Sequence, residues 1–229
     1  MATNTFPPHL RQFFDNVKEV LLLLNIHRTI AGKSPGRKTN VEILNKSAVV
    51  LIVACWEAFV EDLASAALDS MISEATTHTI FPKAVLERVG SKYSGLNAWS
   101  LANDGWRRAL RDNFSEVLAK TTGVLNTPRQ AQVDDLFSKT VGLVSLSSCW
   151  VWPGRTNASA IKALDELIAL RGAIAHRVQH SKSVRKTHVT AAVELVSRLS
   201  AKSTNHVRHH VYASTGKYPW IQITYKGIG

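Results

Sequence analysis

The feature that constrains the fold most is a run of 13 residues, 48–60, that are all apolar or small except Glu57. The run lies inside a longer helical pattern that we predict from about Asn40 to about Glu74. A helix that is apolar all round is surrounded by other helices or by lipid. Since the run is shorter than the roughly 20 residues that cross a bilayer, we predict a buried core helix and no membrane partner.

Further helical patterns flank this segment on both sides. They cover the N-terminal region, Asp104 to Lys120, a segment capped by Thr127 and opened by Pro128, the stretch around Leu164, and Lys186 to Ala201. The last apolar segment, Trp220 to Tyr225, alternates and is rich in β-branched residues, so we predict a short terminal strand. The predicted fold class is an all-α helical bundle with a small C-terminal β element. Residues 1–202 would form the helical domain and residues 203–229 a short extension.

The charge balance points to an anionic partner. The chain has 28 Lys and Arg against 17 Asp and Glu, a net charge of +11. The excess is greatest from Arg177 to the last residue, where the chain has nine basic residues and one acid, Glu194. Such an excess attracts polyanions such as nucleic acid or anionic lipid, although a solvated basic surface is the alternative. Its concentration in the last quarter of the chain favours nucleic acid.

The cysteines and the N-terminus indicate the cellular compartment of the protein, and the histidines are the residues to consider for metal binding. Cys55 and Cys149 both adjoin Trp in apolar segments, as expected of free buried thiols in a reducing compartment. The first residues lack the pattern of a secretory signal, so we expect a cytoplasmic protein. Five histidines after His176 lack acidic or Cys partners at ligand spacing, and we expect neither a metal site nor a cofactor. These are His180, His188, His206, His209 and His210.

The most informative spacing is Arg171 followed, after four residues, by His176. Alone it is weak, because two common residues recur at this spacing in many helices. It resembles, however, the signature of the HEPN superfamily, an Arg separated by four to six residues from a His near a helix end. The surroundings resemble the branch called RiboL-PSP-HEPN, discontinuously from about Leu44 to Arg177. The similar segments are residues 48–63 with the embedded Glu57, Asn126-Thr127-Pro128, residues 133–137, a Trp, and Leu-x-x-Leu before the Arg.

The resemblance implies a metal-independent endoribonuclease, and the residue types suit that chemistry. RNA carries its own nucleophile, the 2′-OH, which an imidazole such as that of His176 can deprotonate near neutral pH. The guanidinium of Arg171 presents a charged fork to the phosphate. The expected products are a 2′,3′-cyclic phosphate and a 5′-OH. The expected role is that of a toxin or antiviral defence effector.

Helix geometry complicates a site within one chain. Residues five apart on an ideal helix lie about 140° apart, so Arg171 and His176 do not share a face. A cleft gathers both if the helix ends or distorts there, or if two copies contribute. The resemblance implies the second solution, a homodimer with a composite active site.

Further residues complete the predicted site. A carboxylate in an apolar segment needs a partner, and we predict that Glu57 orients Arg171, the alternative being a structural ion pair with another basic residue. Arg177, Lys182, Arg185 and Lys186 are the candidate RNA-binding residues. Four tryptophans are weaker candidates for base stacking and are more often core or lid residues. They are Trp99, Trp106, Trp150 and Trp152.

Two departures from the family pattern leave alternatives open. Gly172 follows the motif Arg where active members usually carry Asn or Asp, and Arg177 follows the His where Gly is common. The first alternative is therefore a catalytically inactive HEPN dimer that binds RNA or a partner protein. A second is a helical scaffold unrelated to RNA. A toxin would also need an antitoxin or sensor protein to restrain it.

Overall fold

The computed structural model describes residues 6–31, 41–122, 128–176 and 183–225. Eight α-helices and three short 3₁₀ helices account for most of this part, and no β-strand is present within it. The α-helices are α1 (Pro8–Ala31), α2 (Glu42–Glu74), α3 (Lys83–Gly90), α4 (Gly105–Asp112), α5 (Phe114–Thr122), α6 (Gln130–Val141), α7 (Asn157–His176) and α8 (Lys186–Thr215). The 3₁₀ helices are His78–Ile80, Gly95–Leu101 and Leu146–Cys149. The all-α prediction is confirmed.

Helix α2 is the centre of the bundle and packs against α1, α6, α7 and α8. Its Trp56 is fully buried, lies 5.8 Å from the ring of Trp150, and donates a hydrogen bond of 3.0 Å to the carbonyl of Pro128. By length and composition alone α2 could cross a membrane, but half of its most apolar window is buried inside the fold. The predicted core helix is thus confirmed.

The contacts at the two ends of α2 set the directions of α7 and α8. Just before α8, the Val184 N–H donates to Glu42 Oε1 (3.1 Å), while Asn45 Nδ2 donates to the Val184 carbonyl (2.9 Å). Just after α8, Lys217 pairs with Glu74 at the other end of α2. Helix α8 therefore runs parallel to α2. Ile174 lies in one groove with Ile43, so α7 runs antiparallel and ends beside the start of α2.

The predicted terminal strand is wrong. Residues 221–225 have no regular secondary structure and no partner strand in the described part of the chain, and a strand needs one for its backbone groups. Side chains of α8 supply the hydrogen bonds instead. Asn205 donates to the carbonyl of Ile223 (2.7 Å) and accepts from its N–H (2.8 Å), and Arg208 Nε donates to the carbonyl of Trp220 (2.8 Å).

Other helix boundaries also differ from those predicted. The segment from Asp104 to Lys120 is two helices, and the first ends at its C-cap Asn113, whose backbone N–H and side-chain amide both donate to the Ala109 carbonyl. Helix α6 begins only at Gln130, with Arg129 at its N-cap, and Thr127 lies outside the described residues. Helix α8 continues past residue 202 to Thr215, and the domain boundary at 202 stays a prediction.

Candidate active site

Arg171 lies in the stripe of α7 that packs against the rest of the bundle. The buried residues of α7 are Ala160, Leu164, Leu167, Ile168 and Ile174. Residue 171 lies three positions after Ile168 and three before Ile174, so its side chain lies on the same face of α7 as these two. The side chain of Arg171 is half-buried, and its Nε is buried without a hydrogen-bond partner in the described part of the chain. A buried donor left unpaired is costly, so this guanidinium is suited to receive an anion.

His176 is the last residue of α7, and its side chain is exposed. The helix therefore ends at the motif, which is one of the two conditions under which Arg171 and His176 can serve one cleft. Along α7 the two residues do not share a face, since Arg171 lies in the packed stripe and His176 is exposed at the terminus. Neither forms a side-chain hydrogen bond or ion pair among the described residues.

Glu57 is only half-buried, contrary to the expectation of a carboxylate enclosed in apolar surroundings. It shares a face of α2 with Val50 and Ala54, and Ala54 is exposed, so the carboxylate keeps contact with water. Burial and the charge of Glu57 raise the pKa of Glu61, one turn further along. The described residues contain no ion pair between Glu57 and Arg171, so the pair that we expected is not formed in this structure.

The beginning of α8 lies at the same end of the bundle as His176. The Val184 N–H lowers the pKa of Glu42 below its usual value, with a smaller contribution from the charge of Lys46. These contacts hold the chain just before Arg185, which is exposed, and Lys186, which is half-buried. Arg177 and Lys182, the other two predicted RNA-binding residues, lie outside the described residues.

An apolar surface adjoins the motif, and the sequence analysis did not identify it. One groove of about 330 Å³ is lined by Ile43, Val50, Leu51 and Ile174, and a second of about 260 Å³ shares Leu51 and continues towards α1. Ile43 is 56% exposed and Leu51 is 42% exposed. The sequence did contain a signal for this surface, because α2 is apolar on all sides and needs other helices around it. Too few helices surround α2 to cover every side.

The tryptophans that we considered for base stacking differ in how deeply they are buried. Trp150 is fully buried and donates from Nε1 to Ser203 Oγ (2.9 Å), so it is a core residue. Trp99 is 79% exposed, whereas Trp106 and Trp152 are partly buried. Among the described residues, no group of three or more His, Cys, Asp or Glu side chains is placed to hold a metal ion.

A helical bundle with a long central helix, and with Arg-x4-His at the end of a helix packed against it, defines a HEPN-type domain. The family model described as RiboL-PSP-HEPN matches residues 11–204, and the chain belongs to that family. HEPN domains are ribonucleases or RNA-binding modules. No curated protein and no solved structure matches the chain significantly.

Proposed function

We propose that this protein is a metal-independent endoribonuclease whose active site contains Arg171 and His176. The observation that carries the proposal is the placement of the motif. Arg171 has a buried Nε without a partner, and His176 is exposed where α7 ends. A phosphate would supply the missing acceptor for Arg171, because a guanidinium binds phosphate through charge-assisted hydrogen bonds.

In the proposed reaction, the 2′-oxygen of RNA loses its proton to an imidazole and attacks the adjacent phosphorus. The bond from phosphorus to the 5′-oxygen breaks, and that oxygen leaves with a proton. The products are a 2′,3′-cyclic phosphate and a 5′-OH. His176 would act as the acid/base, while Arg171 would bind the non-bridging oxygens on which charge develops. Arg177, Lys182, Arg185 and Lys186 would hold the flanking phosphates.

We also propose that the active form is a homodimer with a composite site. Ile174 lies between Arg171 and His176 in the sequence and borders the apolar groove formed with Ile43 and Leu51. An exposed apolar surface of this kind is typical of an interface. A second copy docked there would place two motifs side by side, which resolves the separation of Arg171 from His176. Glu57 would orient Arg171 only in that assembled or RNA-bound state.

The decisive experiment is incubation of total cellular RNA with purified protein in the presence of EDTA. Wild type should cleave RNA and leave cyclic-phosphate ends, while His176→Ala and Arg171→Ala should each reduce the rate by at least about 100-fold. His78→Ala is the matched control, because His78 is exposed at the other end of α2, and it should cleave like wild type. DNA of the same sequence should stay intact. Cleavage by all variants would overturn the site assignment.

The second candidate function is a catalytically inactive HEPN dimer that binds RNA or a partner protein, and Gly172 is the observation that favours it. Intact RNA with wild type, together with salt-dependent RNA binding, would support this candidate. Absence of any salt-dependent affinity for RNA would support a helical scaffold unrelated to RNA.

We further propose that the ribonuclease is a cytoplasmic toxin or antiviral defence effector, restrained by an antitoxin or sensor protein. Induced expression in a bacterial host should then arrest growth with wild type and not with His176→Ala. Equal growth with both proteins at matched expression would contradict a toxic role.

A further inference from the structure

A second cleft lies between α8 and the tail that follows it, residues 219–225. Its volume is about 340 Å³, within the usual range for small-ligand sites. The side chains that define it are Trp152, Arg198, Lys202, Gln222 and Tyr225. None of these belongs to the proposed active site. Gln222 and Tyr225 also lie beyond residue 204, where the match to the family model ends.

Aromatic rings and guanidinium groups alternate along one wall of this cleft. The guanidinium of Arg198 lies 5.7 Å from the ring centre of Trp152 and 5.1 Å from that of Tyr225. Arg155 lies over the same Trp152 ring at 5.9 Å. Proteins that bind single-stranded nucleic acids without sequence preference contact the bases with aromatic and arginine side chains of this kind.

The charge of the cleft is positive. Arg198 and Lys202 line it and carry two positive charges. Arg155, which lies over Trp152, and Glu194, which pairs with Arg198, add one charge of each sign, which leaves +2. Arg198 Nε donates to Glu194 (2.6 Å), so this cation is already paired. Within the described part of the chain, Arg155 and Lys202 form no ion pair, and Lys202 is exposed. An anion in the cleft would therefore meet Lys202.

The tail is held in place firmly enough to form a wall. Asn205 makes two hydrogen bonds to the backbone of Ile223, whose side chain is buried. The hydroxyl of Tyr225 donates to Glu194 (2.7 Å), and burial with this carboxylate raises the pKa of Tyr225 well above its usual value. The phenol therefore stays protonated and keeps its ring beside Arg198.

We propose that this cleft is an accessory site for one nucleotide of single-stranded RNA, with the base against Trp152 and Tyr225 and the phosphate at Lys202. A free nucleotide and a nucleotide within a strand offer the cleft the same base and phosphate. We assign the strand as the ligand, because the excess positive charge favours a polyanion. The choice of RNA rests on the proposed function. The site would hold substrate RNA at a distance from the motif on α7.

The test measures binding and not cleavage, so its outcome is independent of catalysis. Full-length His176→Ala protein is titrated into a fluorescein-labelled 10-nucleotide single-stranded RNA, and the anisotropy is followed at two salt concentrations. Adding Lys202→Glu should weaken binding by about 10-fold and lower the salt dependence. Adding Trp152→Leu should weaken it by about 5- to 10-fold through loss of stacking.

Lys83→Glu is the matched control, because it makes the same charge change at an 86% exposed side chain on α3. It should change the affinity by less than about 2-fold. Lys202 is exposed, so its replacement keeps the fold, and thermal unfolding checks this for both cleft variants. Equal affinities for the parent, Lys202→Glu and Trp152→Leu would overturn the proposal.

A separate arm distinguishes the two sources of a nucleotide. Unlabelled AMP and an unlabelled RNA 10-mer compete with the labelled RNA. Displacement at micromolar RNA, with AMP required at millimolar concentration, would support a strand as the ligand. Equal potency of AMP would overturn the assignment to RNA. If the wild-type protein cleaves RNA but Lys202→Glu does not weaken RNA binding, only the proposal for the cleft is refuted and the proposed function stands.

Discussion

At the scale of single residues, Gly172 is where the chain departs from its family motif beside Arg171. Its backbone is helical, and a Cβ added there would meet no atom within 4 Å apart from its own helix backbone. The glycine is therefore not required by space or by conformation. The position can accept the Asn or Asp that active members carry, and Gly172→Asn is the direct test of whether a polar group here raises ribonuclease activity.

Gly172→Ala should increase the free energy of unfolding by about 0.5–1 kcal/mol, because glycine in a helix costs backbone entropy that alanine does not. Gly216→Ala is the matched control. A Cβ there also meets nothing within 4 Å, but its φ is +75°, so alanine should destabilise by roughly 1–2 kcal/mol. Urea denaturation of both variants measures the two effects. Stabilisation by Gly216→Ala, or destabilisation by Gly172→Ala, would contradict this account.

At the scale of elements, the C-terminal end of α2 depends on a cation from α4. The last carbonyls of a helix have no partner within it. Arg107 Nη1 donates to the carbonyls of Ile72 (2.9 Å) and Ser73 (3.0 Å), and Nη2 donates to that of Ala75 (2.8 Å). The positive charge also opposes the negative end of the helix dipole. One guanidinium therefore joins the central helix to the irregular region that follows it.

Arg107→Ala should lower the free energy of unfolding by about 1–3 kcal/mol, since it removes three charge-assisted hydrogen bonds, two of them partly buried. Arg107→Lys should recover only part of the loss, because an ammonium lacks the planar fork. The neighbouring Arg108 is exposed, and Arg108→Ala should change stability by less than about 0.5 kcal/mol. Equal denaturation midpoints for the Arg107 and Arg108 variants would show that this cap is unimportant.

At the scale of the whole molecule, the apolar surface beside the motif links assembly to activity in the proposed dimer. That surface consists of Ile43, Val50, Leu51 and Ile174, together with the adjoining groove towards α1. If a second copy covers it, self-association and ribonuclease activity depend on the same residues. A charge at the centre of that surface would then disrupt both.

Leu51→Glu should weaken self-association by at least about 10-fold, because dimerisation would bury an unpaired carboxylate. Ribonuclease activity should fall in parallel and recover at high protein concentration. Val144→Glu is the control, since Val144 is 72% exposed and does not line either groove. Sedimentation velocity over a range of concentrations measures the association. A wild type that stays monomeric at every concentration would exclude the composite site.

The sequence by itself determined the all-helical class, the central core helix and the family, because apolar periodicity and motif order are local properties of the chain. Only the tertiary structure decided three other features. Glu57 is half-exposed because the surrounding helices do not cover every side of α2. The tail is not a strand because Asn205, distant in sequence, satisfies the backbone of Ile223. The cleft at Trp152 exists because that tail packs back onto α8. Such features depend on which segments meet in space, and periodicity does not encode that.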